Sequence, residues 1–103
     1  MIIIGQNVLD IIDEYVQYLI REGLTSSNRA KQKKMEMVHA VNSNLGGILN
    51  HRLSPYRELG KAEHCRLYVY KDPKSKTQWG FAYKQYGGDN VIVYHMRNLK
   101  LIR

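Results

Sequence analysis

The stretch Cys65-Arg66-Leu67-Tyr68-Val69-Tyr70, followed beyond Asp72-Pro73-Lys74-Ser75 by Trp79-Gly80-Phe81-Ala82-Tyr83-Lys84, decides the fold. In its first half Cys65, Leu67 and Val69 alternate with Arg66, Tyr68 and Tyr70, and in its second half Trp79, Phe81 and Tyr83 alternate with Gly80, Ala82 and Lys84. A period of two is the signature of a strand with one covered face, and the Asp-Pro-Lys-Ser run between the halves is turn chemistry. Gly87-Gly88-Asp89 marks a second turn, and the β-rich segment 90–96 supplies a third strand. Short turns between such segments predict a three-stranded antiparallel meander. The alternation points Cys65, Leu67, Val69, Trp79 and Phe81 toward a core, which sends Arg66, Tyr68, Tyr70 and Lys84 to the opposite face.

Upstream, Ile2, Ile3 and Ile4 are β-branched and stop at Gly5, which predicts a short strand buried on both faces. From Asn7 the apolar residues Val8, Ile11, Ile12, Tyr15, Leu19 and Ile20 recur at three- and four-residue steps against Asp10, Asp13, Glu14 and Gln17. That spacing is an amphipathic helix, and Gly23 suits the left-handed residue that ends one. Thr25-Ser26-Ser27 offers helix caps for a second helix whose stripe is Ala30, Met37, Val38, Val41 and Leu45, closed by Gly46-Gly47. The short link between the helices predicts an antiparallel helical hairpin. The segment 51–61 contains Pro55 and Gly60 and reads as loop with a short edge strand. The expected architecture is therefore α+β: a strand, an antiparallel helical hairpin, then the meander, forming one sheet packed on two helices with its other face open for function.

The length, 103 residues, suits a single domain spanning 1–103, and 44% hydrophobic content is too rich for a disordered chain. Cys65 is the one cysteine, so no disulfide within the chain is available and a reducing, cytoplasmic setting is expected. No apolar run approaches a membrane span or a signal-peptide core, so no membrane partner is expected. Sixteen Lys and Arg against nine Asp and Glu give a net charge of +7, a field that attracts polyanions such as RNA. The first helix is the exception, with Asp10, Asp13, Glu14 and Glu22 against Arg21, and is expected to face away from a polyanion.

Two groups of residues suggest chemistry. On the expected open face Arg66 and Lys84 can grip phosphate, while Tyr68 and Tyr70 can stack on unpaired bases and Gly80 and Ala82 leave room for a ligand. The alternative is that Arg and Tyr simply tolerate a solvated sheet face. In the last strand Tyr94, His95 and Arg97 offer a proton donor, an imidazole and a permanent cation, the roles that ribonucleolytic transfer needs. Strict alternation puts His95 and Arg97 on one side and Tyr94 on the other. Which side is the core is ambiguous, because Val91 and Val93 compete with Ile92 and Met96. Lys31, Lys33 and Lys34 on the second helix are either a solvated face or further phosphate contacts. His39, His51 and His64 lack metal-ligand spacing, and no nucleotide-binding fingerprint occurs, so neither a metal nor a cofactor is expected.

With this order of elements, Gln78-Trp79-Gly80-Phe81-Ala82-Tyr83-Lys84 and Asn90-Val91-Ile92-Val93-Tyr94-His95-Met96-Arg97-Asn98 together resemble the RelE/ParE toxin superfamily. The resemblance implies a toxin neutralised by a cognate acidic antitoxin. Its target would be messenger RNA on the ribosome, cut without a metal, or gyrase in the ParE branch. For the ribonuclease branch it implies a site at Arg66, Lys84 and Arg97, with Tyr94 and His95 nearby. The sequence departs from some members in ending at Leu101-Ile102-Arg103 without a C-terminal helix or a terminal His-Tyr type pair. A non-catalytic module of the same fold, binding nucleic acid or protein, is the competing expectation.

Overall fold

The computed structural model describes residues 1–45, 51–73, 75–87 and 89–102. It is an α+β protein with two helices and a four-stranded mixed sheet. Strand β1 (Ile2–Ile4) leads through Gly5 into α1 (Gln6–Arg21), whose buried residues Val8, Ile12 and Val16 lie four apart on one face. The helix ends at Gly23, which adopts φ 67°, a left-handed conformation that costs a glycine no Cβ strain. Its N–H bonds the Ile20 carbonyl while that of Leu24 reaches back to Leu19. Helix α2 (Ser27–Asn44) starts on Ser26, whose hydroxyl accepts the Arg29 N–H at 3.3 Å, and buries Ala30, Met37 and Val41. An ion pair of 2.6 Å between Lys34 and Asp13 bridges the two helices, which run antiparallel on either side of the short link. The expected closure of α2 by Gly46-Gly47 lies outside the described residues.

The meander consists of β2 (Arg66–Lys71), β3 (Gln78–Tyr86) and β4 (Asn90–Asn98), and the sheet order is β1-β4-β3-β2 with β1 parallel to β4. Because β1 is an edge strand, Ile3 is 49% exposed while Ile2 and Ile4 pack on the core; the expectation of burial on both faces is corrected. The segment before β2 supplies a short edge pairing, Leu53 opposite Arg66, then a 3-10 turn at Arg57–Leu59.

The facing of β2 is the reverse of the sequence expectation. Tyr68 lies opposite Phe81 and Tyr70 opposite Trp79, so both tyrosines share the helix-facing side with those rings, and Tyr68 stacks on Phe81 with centroids 6.1 Å apart. Leu67 pairs with Ala82 and Val69 with Gly80 on the far side. Both alternating sets of β2 are apolar enough to be core, so the hairpin turn decides: Asp72 donates its N–H to the Thr77 carbonyl, which sets Lys71 opposite Gln78.

A β-bulge resolves the ambiguity in β4. Ala82 faces His95 but Tyr83 faces Val93, leaving Tyr94 as the extra residue. The parity therefore switches inside the strand, so Val91, Val93 and, beyond the bulge, Met96 are all buried against the helices. Fully buried Phe81 and Tyr83 lie at the centre of this core, each worth about 1.5–3 kcal/mol of apolar burial.

The far face is not open. A second cluster of Leu59, Cys65, Leu67 and Ala82, flanked by Tyr56, Tyr94, Leu99 and Ile102, packs on it. A Cβ on Gly80 would lie 2.6 Å from Leu59 Cδ1 and 2.8 Å from Leu99 Cδ2, so the space expected for a ligand over Gly80 and Ala82 is filled by leucine. Gly60, at φ 73°, brings the strap that precedes β2 so close that a Cβ there would sit 2.5 Å from Cys65 Sγ.

Candidate functional site

What remains accessible on the far face is a cleft of about 380 Å³ lined by Glu63, Cys65, Lys84, Tyr86, Tyr94 and His95. Strand β3 contributes Lys84 and Tyr86 from the side opposite its core residues, and β4 contributes Tyr94 and His95 as neighbours. Neighbours in a regular strand point to opposite faces; here the bulge at Tyr94 lets both rings border one cleft, with centroids 6.4 Å apart. The expected separation of Tyr94 from His95 is thereby corrected, while His95 and Arg97 keep the expected alternation, opposite Ala82 and Gly80.

Within the cleft the Tyr86 and Tyr94 hydroxyls are 2.5 Å apart, so one donates to the other. This bond, with lesser help from burial, pushes the Tyr94 phenol above its ordinary range and holds its proton at neutral pH. His95 Nε2 lies 3.6 Å from Glu63 Oε1. Cys65 forms the floor, its thiol pushed up by burial and by Glu63 against the opposing effect of Lys84, which makes it a poor nucleophile. The arrangement gathers one cation, one imidazole, a hydrogen-bonded phenol pair and a carboxylate around a small concave surface.

The other residues singled out in the sequence lie elsewhere. Arg66 pairs across to Tyr83 on the helix-facing side and donates from Nη1 to the His51 carbonyl at 2.6 Å. It tethers the strap to the edge of β2. His51 Nδ1 is 2.6 Å from the hydroxyl of buried Tyr83, and its ring lies against Tyr68 with centroids 5.6 Å apart. Burial, then the Arg66 charge, holds His51 below the ordinary histidine range. Tyr68 and Tyr70 are core-side residues, corrected from the expected open face, and burial pushes both phenols up. Arg97 is exposed, opposite Gly80, and borders a separate groove between α1 and β4. On α2, Lys33 pairs with buried Asp72 at 2.5 Å and Lys34 with Asp13, while Lys31 borders the furrow between the two helices. None of these lysines lines the cleft.

Thus Lys84, Tyr94 and His95 come together, and Arg66, Arg97 and the α2 lysines do not join them. Glu63, Tyr86 and Cys65 complete the cleft and were not singled out as site residues from the sequence. For Tyr86 a signal existed, because it shares the parity of Lys84 in β3; Glu63 sits in a segment without periodicity. Among the described residues, no helix is long and apolar enough to cross a membrane. The chain matches no family model, no curated protein and no solved structure.

Proposed function

We propose that the protein is a RelE-like toxin, a metal-independent endoribonuclease acting on messenger RNA, with its centre at Lys84, Tyr94 and His95. The observation that carries this reading is the convergence of those three side chains in one cleft of a chain with net charge +7. His95 takes the proton of a ribose 2′-hydroxyl, and the freed oxygen attacks the adjacent phosphorus. The bond to the 5′-oxygen breaks, and the Tyr94–Tyr86 pair returns a proton to that oxygen, leaving a 2′,3′-cyclic phosphate and a 5′-hydroxyl. Lys84 balances the charge that builds on the non-bridging oxygens. Glu63 orients His95. The basic surface is suited to an acidic neutralising protein, an antitoxin, as well as to RNA.

The test is messenger RNA cleavage in a translating extract. Lys84→Met and His95→Gln should each lower cleavage by about 10²-fold or more with unchanged far-UV circular dichroism, while Arg66→Ala retains activity wherever the strap stays folded. Full cleavage by the Lys84→Met/His95→Gln double variant would sink the proposal. A second reading, a binding module without catalysis, would hold RNA by its basic surface and not by base stacking, because Leu59 and Leu99 cover Gly80 and the sheet there lacks the flat surface on which bases stack. RNA bound but never cut, on or off ribosomes, would establish that reading, and loss of gyrase supercoiling would point to the ParE-type target instead.

A further inference from the structure

Three side chains form one row across the far face of the sheet. Ile3 pairs with Ile92 and Ile92 with Lys84, and residues directly opposite on neighbouring strands share a face. Neighbouring strands lie about 4.8 Å apart, so the row runs roughly 10 Å from Lys84 to Ile3. Lys84 lines the cleft, Ile92 is half-buried, and Ile3 is exposed at the edge of the sheet. Ile2 and Ile4 pack on the helix-side core, whereas Ile3 and Ile92 belong to neither core cluster. Strand propensity alone would be met as well by threonine, so an aliphatic shelf on this open surface has no structural need behind it.

The polar groups around the shelf are engaged already. Two residues to either side of Ile92, the Asn90 amide donates to the Gly87 carbonyl at 3.2 Å and the Tyr94 hydroxyl is bonded to that of Tyr86. The carboxylate of the cleft, Glu63, lies against His95, and Lys84 joins no ion pair among the described residues. A free cation thus borders an apolar strip. A second copy of the chain is a poor occupant, because each copy carries +7 and the edge strand β1 is three residues long. A single-stranded nucleic acid fits both features, with a phosphate for Lys84 and the apolar face of a base for the isoleucines. A duplex does not, since its base faces are stacked on one another.

We propose that Ile3 and Ile92 seat one unpaired base of the RNA strand whose phosphate lies on Lys84. The seat holds a single base by apolar packing, at the edge of the sheet away from the leucines over Gly80. It makes the substrate of the cleft a single strand. The proposal rests on the reading of Lys84 as a phosphate-binding residue and adds to it a contact made by the base.

The test is an NMR titration of protein labelled at its isoleucine δ1-methyl groups and its backbone amides. The probes are short single-stranded 2′-O-methyl RNAs of mixed sequence, which lack the attacking hydroxyl and stay intact, the same strands without bases, and the same strands annealed to their complements. The base-bearing single strands should shift the Ile3 and Ile92 methyls upfield through the ring current of the base, together with the Lys84 amide. Strands without bases should move Lys84 and leave both methyls in place, and duplexes should do the same. Ile3→Ser, at an exposed position, should weaken the base-bearing strands about fivefold and leave the others unchanged, while Ile3→Leu keeps full affinity. Methyls that stay in place while Lys84 and His95 shift would overturn the seat and leave the reading of the cleft intact; no shift at Lys84 either would overturn both. Methyl shifts that appear on raising the protein concentration without RNA would assign the shelf to a second copy and overturn the proposal.

Discussion

Adding one methyl group at Gly80 tests whether the far face of the sheet is filled or open. The Cβ of Gly80→Ala would meet Leu59 Cδ1 at 2.6 Å, Leu99 Cδ2 at 2.8 Å and Leu67 Cδ1 at 3.2 Å. All three are ends of flexible side chains, so they can move, but Leu59 is fully buried and has little room to go. Overpacking of this kind costs about 1–3 kcal/mol. Against it, replacing a strand glycine at a compatible conformation gains about 0.4–1 kcal/mol from the unfolded state. The net expectation is a loss of about 1–2 kcal/mol, which at this size lowers Tm by roughly 4–15 °C. Urea unfolding followed by circular dichroism should show a lower midpoint with an unchanged slope. The variant Leu99→Ala removes one of the obstructing atoms, so Gly80→Ala/Leu99→Ala should be more stable than the sum of the single effects predicts. A Gly80→Ala protein as stable as wild type, or more stable, with strictly additive behaviour in the double variant would refute the filled face and restore the open platform expected from the alternation.

Two further predictions concern titratable groups. His51 has its pKa lowered in the folded state by burial and by Arg66, so the unfolded chain takes up its proton first, and stability should fall as pH drops below about 6.5 toward the depressed value. In urea midpoints measured between pH 8 and pH 5, His51→Asn should flatten that part of the profile; an unchanged slope would mean that His51 is not the group responsible. Cys65 is fully buried with a raised thiol pKa, so native protein should react with a thiol reagent at least about 10²-fold more slowly than protein in urea. Equal rates would show that the floor of the cleft is accessible.

The elements themselves were legible because each rests on local chemistry. The four-residue spacing of Val8, Ile12 and Val16 and the glycine at position 23 mark α1 as plainly in the sequence as in the structure. The same holds for Ser26 at the start of α2 and for the alternation from Cys65 to Tyr83. Lys84, Tyr94 and His95 were likewise identifiable, since each bears a functional group on a recognisable strand. Their neighbours were harder to find: Glu63 reaches the cleft from a strap whose path depends on Gly60 and on His64 at φ 59°, and neither position has a periodic signal.

What the amino-acid sequence by itself determined is the inventory and order of elements, the basic character of the chain and the identity of its polar side chains, all of which follow from local periodicity and composition. Tertiary structure alone decided which way those side chains face. In β2 both alternating sets are apolar, so only the hairpin register put Tyr68 and Tyr70 against the helices and Leu67 against Leu59. In β4 the bulge at Tyr94 shifted the parity by one residue, placing Tyr94 beside His95 and Lys84 while Arg66 was turned to the opposite side. A strand offers two faces that differ by a single step of register, and the choice between them is made by the partner strands and the core they share.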